Sequence, residues 1–537
     1  VASSRRPTKE ELIAQDIKRL HAMGYAQELF RAMGGFSNFA ISFTIISVLS
    51  GCLTLFYSGI TTSGFAAGSI GWPLVTIFVV IVALGMAELA SAFPTAGGLY
   101  YWASKLGGPA WGWFTGWFNL IGQVAVTAGI DYGLAVSIDV LLNAWFPHFP
   151  ATLGSVSGID PATQWATLGI YAVVLIAHAI LNIFGVRIVA FLNDLSVWWH
   201  IVGVCLIGGG VVVAALLHPS APLNSAATLF AADPKYNASG FPAWYAFLLG
   251  LLMAQYTYTG FDASAHMTEE TIGAETRAPW GVVMSVVVSA FAGYLVLMGL
   301  LMAAPDIGVK GAAGAINPVL YILEYRLGAV LGPLFFAVAV GAQFFCGMSS
   351  ITTNSRMIYA FSRDGAVPFS RLWHQLDSGR TPRNAIILSA TCAFVLAIPT
   401  VFNYVAYVAI TSIAVIGLYI SYVLPILLRV LTRSFKHGPW HLGSWGKPIG
   451  VIAVLWVICI AILFMLPTVN PITIVTFNYT PIVVLGTLLI LVIWWTVSVR
   501  HWFKGPKIQG SATELANIER DVGETVLLDG EETASSH

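Results

Sequence analysis

Twelve stretches of this sequence are apolar for long enough to cross a lipid bilayer as helices, and little chain is left between them. A hydrocarbon core of about 30 Å is spanned by roughly 20 helical residues. The stretches run over approximately 38–61, 72–93, 111–142, 164–185, 192–217, 243–271, 280–304, 333–361, 384–401, 403–430, 447–467 and 480–503. They are continuous rather than alternating, which excludes the strands of a membrane barrel. With 57% hydrophobic and 9% charged residues, the chain has too little polar surface to cover a soluble body of 537 residues. An all-α polytopic membrane protein is predicted.

The basic residues fix an orientation. With both termini cytoplasmic, 22 of the 25 Lys and Arg fall on the inner side, and Lys235, Lys310 and Arg326 fall outside. Every loop then obeys the positive-inside rule, which supports the twelve-span count as well as the orientation. The five cysteines lie within predicted spans without paired spacing, as buried small hydrophobes rather than a disulfide frame or metal site. Residues 1–35 form an inner tail, either a basic amphipathic helix on the leaflet or solvated chain. Their lack of an apolar core predicts no cleavable signal, so the first span acts as its own insertion signal. Residues 504–537 are polar, acidic and aperiodic, and are expected to be disordered.

No plain sequence repeat is present, but a positional one is. The first span carries SVLSGCLTLF (47–56) and the sixth TYTGFDASA (257–265), each with a glycine among small polar residues near its middle. Five spans separate the two, so the second unit enters the membrane from the opposite side. Paired interruptions of this kind point to a transporter's midplane site. Either glycine alone fits ordinary close packing of membrane helices; the pair in register favours broken helices. An interrupted helix offers free amides and carbonyls that must be satisfied. A zwitterion does so, its carboxylate on the amides of Ser50, Gly51 and Cys52 and its ammonium on carbonyls near Ser47 and Thr259.

Asp262 is a carboxylate near the bilayer centre, at a cost of roughly 2.5–3.5 kcal/mol on insertion scales. It either meets a substrate ammonium or bonds the unwound backbone and holds the break open. Asn119 and Gln123, four residues apart on the third span, either reach a substrate or bond between helices. Asp131 and Asp139 are expected further out, facing an outer vestibule. His266 shares the face of Asp262 and either tunes it or caps an inner gate. Glu88, Glu269 and Glu270 lie near inner helix ends, as do Arg356 and Arg363, and inner-gate ion pairs are predicted. Tyr404 and Tyr407 are gate aromatics or packing.

Four segments carry a family resemblance: LSG (49–51), AELASAFPTAGGLYYWASKLGG (87–108), GFDASAHMTEE (260–270) and SRMIYAFSRDGAVP (355–368). In this order they resemble the amino acid, polyamine and organocation transporter superfamily. The FDASAHMTEE form is most similar to its amino acid and choline transporter branch, with GABA permeases and bidirectional amino acid transporters. The resemblance covers about residues 30–500. It implies the leucine-transporter fold, with inverted five-helix repeats over 36–217 and 243–430, two further helices over 447–503, and alternating access. It also implies that Leu49, Ser50 and Gly51 form the carboxylate-holding loop, that Tyr256 packs over the substrate, that the Thr259 carbonyl receives the ammonium, and that Asp262 is the acidic position. The lysine that proton-coupled relatives carry in the fifth span falls on His200, in LNDLSVWWHIVGV (192–204). His200 is either a coupling group, titrating near neutral pH, or a neutral core histidine. Cys346 and Ser350 match the hydroxyl positions of the sodium site of sodium-coupled relatives. A thiol there is a poor sodium ligand and favours protons or exchange.

The sequence therefore predicts a secondary transporter of amino acids or related amines such as GABA, in the cell membrane, as monomer or homodimer. Choline or polyamine transport, or a non-transporting nutrient receptor, stand as alternatives. No GxxxxGK[ST] loop is present for ATP-driven transport, and no His, Asp or Ser cluster converges at one depth for an enzyme. No cofactor, metal or nucleic acid is expected.

Overall fold

The computed structural model describes residues 7–146, 161–184, 186–217, 222–231, 233–308, 311–312, 315, 317–377, 379–402, 404–474, 476–511 and 513–520. Among them no strand occurs, only one isolated bridge between Met33 and Thr271. Eleven helical stretches are long and apolar enough to cross a membrane. The first reaches from Gly35 to Thr54 only by joining two helices, Gly35–Ile46 and Val48–Thr54, and is followed by Phe56–Ser63. The sixth predicted span lies outside these eleven because it is in pieces: Ala243–Gly250, Leu252–Thr257, Ala263–His266 and a 3-10 turn at Thr268–Glu270.

Burial separates the centre of the bundle from its rim. The third span (Pro109–Trp145) and the tenth (Tyr404–Leu431) are buried over most of their apolar length, whereas the last two (Gly446–Leu463 and Thr480–Trp494) are mostly open. The open faces carry side chains such as Phe291, Phe402, Leu485 and Val497, the apolar exterior that lipid requires. The eighth span is longer than predicted. Asn317 caps it by accepting from the amides of Val319 and Leu320 at 3.0 and 3.1 Å. Gly328 then bends it with φ 80°, so an outer arm precedes the crossing segment.

The two tails depart from expectation. Lys9–Ala22 forms a helix opened by a capping box between Thr8 and Glu11. It docks on protein, through Asp16, which accepts from the amides of Gly273 and Ala274 at 2.6 and 3.1 Å. A carboxylate there complements the N-terminus of the seventh span, Ala274–Ala303. Burial pushes the Asp16 carboxyl above its usual range, and Arg31 at 3.5 Å opposes the shift. The expected disorder of 504–537 is corrected for the described part of the tail. Residues 513–520 are helical. The Lys507 amide donates to Asp364 at 2.8 Å, and Glu519 pairs with His21 at 2.6 Å. Leu515 is buried. The composition is polar because the segment binds through amides and charges, a docking mode that leaves no apolar period to read. Residues 521–537 lie outside the described residues.

Deleting residues 505–537 is expected to lower the thermal unfolding temperature in detergent by several degrees. An unchanged temperature would show that the tail contacts contribute nothing to stability.

Candidate functional site

The first break falls at Ser47, three to four residues before the expected Ser50 and Gly51. Ser47 has φ 34° and ψ 81°, a left-handed conformation that costs about 1–3 kcal/mol in a residue other than glycine. Its carbonyl accepts from the amides of Ser50 and Gly51 at 2.8 and 2.9 Å. Those two amides are therefore engaged within the chain, which corrects their expected role as carboxylate donors. Val48 and Leu49 supply the first amides of the outer piece and take no backbone acceptor among the described residues.

Gly51 serves the other purpose open to a membrane glycine. A Cβ there would lie 2.6 Å from Thr257 Oγ1, so its absence lets the first and sixth spans touch. The sixth span opens between Thr257 and Ala263, and Gly260 takes φ 87°. A Cβ on Gly260 would lie 2.1 Å from Ile45 Cγ2. Each glycine thus faces the other span's interruption, and the two breaks form one locus. Around it, Ser42 Oγ donates to the Phe261 carbonyl at 3.0 Å, and Asn38 Nδ2 to the Ser264 carbonyl at 2.9 Å. Cys52 and Tyr256 are buried at the same locus, and the Thr259 hydroxyl donates to the Tyr256 carbonyl at 2.7 Å.

Asp262 is fully buried, and both of its oxygens are occupied by protein. Oδ1 accepts from Tyr422 at 2.8 Å. Oδ2 accepts from Gln123 at 2.9 Å and Asn119 at 3.1 Å, and lies 3.3 Å from His266 Nε2. Tyr422 also accepts from the Gly260 amide at 3.2 Å, tying the tenth span to the unwound backbone. His266 Nδ1 faces the Ala96 carbonyl at 3.0 Å, which only accepts, so Nδ1 carries a hydrogen there. Asn119 and Gln123 therefore bond between helices. The sequence reading missed Tyr422 and Ser421, because aromatic and hydroxyl residues on an apolar helix carry no signal of direction. Of its two nominated tyrosines, Tyr407 donates to the Gly129 carbonyl at 3.1 Å, and the side chain of Tyr404 lies outside the described residues.

His200 meets the first break directly. Its Nε2 lies 2.7 Å from Ser47 Oγ, and Nδ1 lies 2.7 Å from the Ser196 carbonyl. The carbonyl requires a hydrogen on Nδ1, so the neutral ring accepts from Ser47 at Nε2, and both nitrogens are satisfied. Cys346 joins this side, its Sγ donating to the Ile45 carbonyl at 3.1 Å. Ser350 does not: its hydroxyl is bonded at 2.8 Å to Thr127 on the third span. Cys346 and Ser350 share a helix but serve different neighbours.

On the predicted inner side the acidic residues are paired with basic ones. Arg363 bonds both oxygens of Glu269 at 3.0 and 3.1 Å, and Arg356 bonds Glu270 at 2.9 Å. Glu88 pairs with Arg429 at 3.2 Å and His437 at 3.1 Å. The backbone of Ala96, in the AFPTAGG turn, donates to Glu269 at 3.0 Å and accepts from His266. Arg363 also lies 4.0 Å from the centre of the Tyr25 ring. These contacts seal the inner end of the sixth span. Asp131 and Asp139, expected in an outer vestibule, are instead fully buried; Thr167 donates to Asp139 at 3.2 Å.

Two broken helices thus meet at a sealed polar locus within an apolar membrane-spanning bundle. The family model for amino acid permeases matches residues 33–504, and the chain belongs to that family, within the amino acid, polyamine and organocation superfamily. It is 43% identical over 505 residues to the amino-acid permease BAT1 of Arabidopsis thaliana, covering 91% of this chain and 95% of that one. Its rice homolog is 42% identical over 503 residues, with the same coverage of each. A candidate polyamine transporter of Candida albicans is 26% identical over 550 residues, covering 98% of this chain and 96% of that one.

Two substitutions test the geometry. Gly260→Ala is expected to abolish the thermal shift given by substrate, and Ile45→Ala in the same chain to restore part of it. No rescue would show that the backbone conformation, and not the contact, forbids a side chain at 260. Arg363→Met leaves Glu269 buried and unpaired, at about 3–5 kcal/mol. Chemical unfolding should show Arg363→Met with Glu269→Gln to be more stable than Arg363→Met alone.

Proposed function

We propose that this protein is a secondary transporter of amino acids or related small amines such as GABA, importing or exchanging them by alternating access. The observation that carries this reading is the single locus formed by the two breaks, where Gly51 meets Thr257 and Gly260 meets Ile45. Val48 and Leu49 are placed to give amides to a carboxylate, and the Thr259 carbonyl to accept from an ammonium. The amino-acid permeases of Arabidopsis and rice, alike over nearly the whole chain, favour the same substrate class. Asp262 belongs to the scaffold in this reading: three neutral donors already occupy its oxygens, so it holds the break and receives no substrate amine. His200, in its neutral form, steadies the strained Ser47, and coupling to protons or to exchange runs through another group.

The leucine-transporter fold with its inverted repeat, cytoplasmic termini and a cell-membrane location complete the proposal. Opening inward would break the Glu269–Arg363 and Glu270–Arg356 pairs and free the inner end of the sixth span. Polyamine transport is the second reading, favoured by the Candida relative. The saturation of Asp262 opposes it, because a polycation needs a carboxylate that is free.

Uptake of radiolabelled amino acids, GABA, choline and polyamines into proteoliposomes tests the proposal. Amino acid or GABA flux is expected; binding without flux would make the protein a receptor. Asp262→Asn is expected to reduce uptake of a neutral amino acid and of a diamine alike, because it loosens the break. A loss confined to the diamine would mean that Asp262 touches substrate. His200→Gln is expected to slow uptake without moving its pH profile, and a shifted profile would return His200 to the coupling role.

A further inference from the structure

A second carboxylate and imidazole lie between the third, fourth and eighth spans and take no part in the locus of the breaks. Asp131 and His178 are both fully buried, with Oδ2 and Nδ1 3.3 Å apart. Asp131 Oδ1 and His178 Nε2 have no hydrogen-bond partner. The wall on the eighth span is Gly347, where a Cβ would fall 1.7 Å from Asp131 Oδ1. Asn182, one turn along from His178, pins the fourth span to the eighth by donating to the Met348 carbonyl at 3.1 Å.

The groups facing the pair supply no countercharge. Tyr171 from the fourth span, Tyr256 from the sixth and Cys346 from the eighth lie near enough to feel the charge of Asp131. The hydroxyls of Tyr171 and Tyr256 are without partners. The Phe344 ring stands 4.5 Å from that of His178. Asp139 lies two turns further along the third span, bonded by Thr167. Among the described residues, His178 is the one basic group within ion-pair distance of Asp131.

An ionised Asp131 beside a neutral His178 leaves one negative charge buried in an apolar bundle. One added proton neutralises the pair, as imidazolium and carboxylate or as carboxylic acid and imidazole. The proton needs no cavity, and two atoms without partners, Nε2 of His178 and Oδ1 of Asp131, stand ready to take it. We propose that Asp131 and His178 form the proton-binding site of this protein, loaded in the closed conformation and emptied when the third and eighth spans part and admit water. The proton comes from water on one side and returns to water on the other, and only an N–H or O–H bond is made and broken. Tyr256 connects the site to substrate: its hydroxyl packs at Gly129, two residues before Asp131, while its backbone belongs to the broken sixth span. The inference rests on the transport reading and names its coupling ion.

The test uses the full chain in proteoliposomes with an internal pH-sensitive dye, and infrared titration of the same samples. Wild type is expected to acidify the lumen with substrate entry and to accumulate substrate by up to about tenfold per pH unit at one proton per substrate. Asp131→Asn should lose gradient-driven accumulation and the band, carboxylic acid or imidazolium, that titrates in wild type. Its substrate exchange should no longer depend on pH. Gly347→Ala, which displaces the carboxylate without changing it, should shift the titration. The proposal is overturned if Asp131→Asn accumulates substrate like wild type, if the titrating band survives in it, or if wild type exchanges without moving protons. Should Asp131→Asn fail to fold, His178→Gln carries the same outcomes. If wild type moves no substrate at all, the transport reading fails, while the infrared titration still decides whether the pair binds a proton.

Discussion

The carboxylate of Asp262 joins the parts on which the rest of this structure depends. It lies in the gap of the sixth span, and three other groups hold it there: Asn119 and Gln123 on the third span and Tyr422 on the tenth. A helix interrupted inside a bilayer exposes backbone groups that lipid cannot satisfy. One buried anion with three hydrogen-bond donors turns that liability into a fixed junction. The hydrogen bonds to a charged group are individually worth about 1.5–3 kcal/mol, enough together to offset the cost of placing the carboxylate there. The third and tenth spans are among the most buried of the bundle, as this junction requires.

The first break is held differently. Ser47 is strained, and His200 satisfies its hydroxyl while the Ser47 carbonyl begins the next helix. No charge is used, and the amides of Val48 and Leu49 take no backbone acceptor among the described residues. The two breaks differ in this: the sixth span carries its own carboxylate, and the first carries none. At the inner end, Ala96 is gripped by Glu269 and His266 at once. The ion pairs at this end therefore share a turn, and a helix, with the junction at Asp262.

Two buried pairs of aspartate and histidine contrast in a way that bears on function. Asp262 has neutral donors besides His266, whereas Asp131 has His178 alone within ion-pair distance and an oxygen to spare. The first arrangement fixes a charge; the second leaves room for a proton. Asp262 lies within the locus of the breaks, whereas Asp131 lies outside it, near the Tyr256 hydroxyl that packs at Gly129.

The helical class, most of the crossings and the positions of both breaks to within a few residues were legible in the sequence, because a bilayer imposes length and apolarity on every crossing and glycine with small polar residues marks where those rules are broken. That Glu269 and Glu270 lie at the same end of the bundle as Arg356 and Arg363 was legible too; which acid meets which base was not. Direction around a helix was not. Along a span buried on all sides, no polar face distinguishes Tyr422 from Tyr404, or Asp131 from a residue of an outer vestibule. That Ser47 makes the turn, while Gly51 lies against Thr257, was decided by the tertiary packing. That Asp262 is saturated and Asp131 is not was decided by which neighbours the tertiary packing brought within about 3 Å, and no one-dimensional pattern encodes those distances.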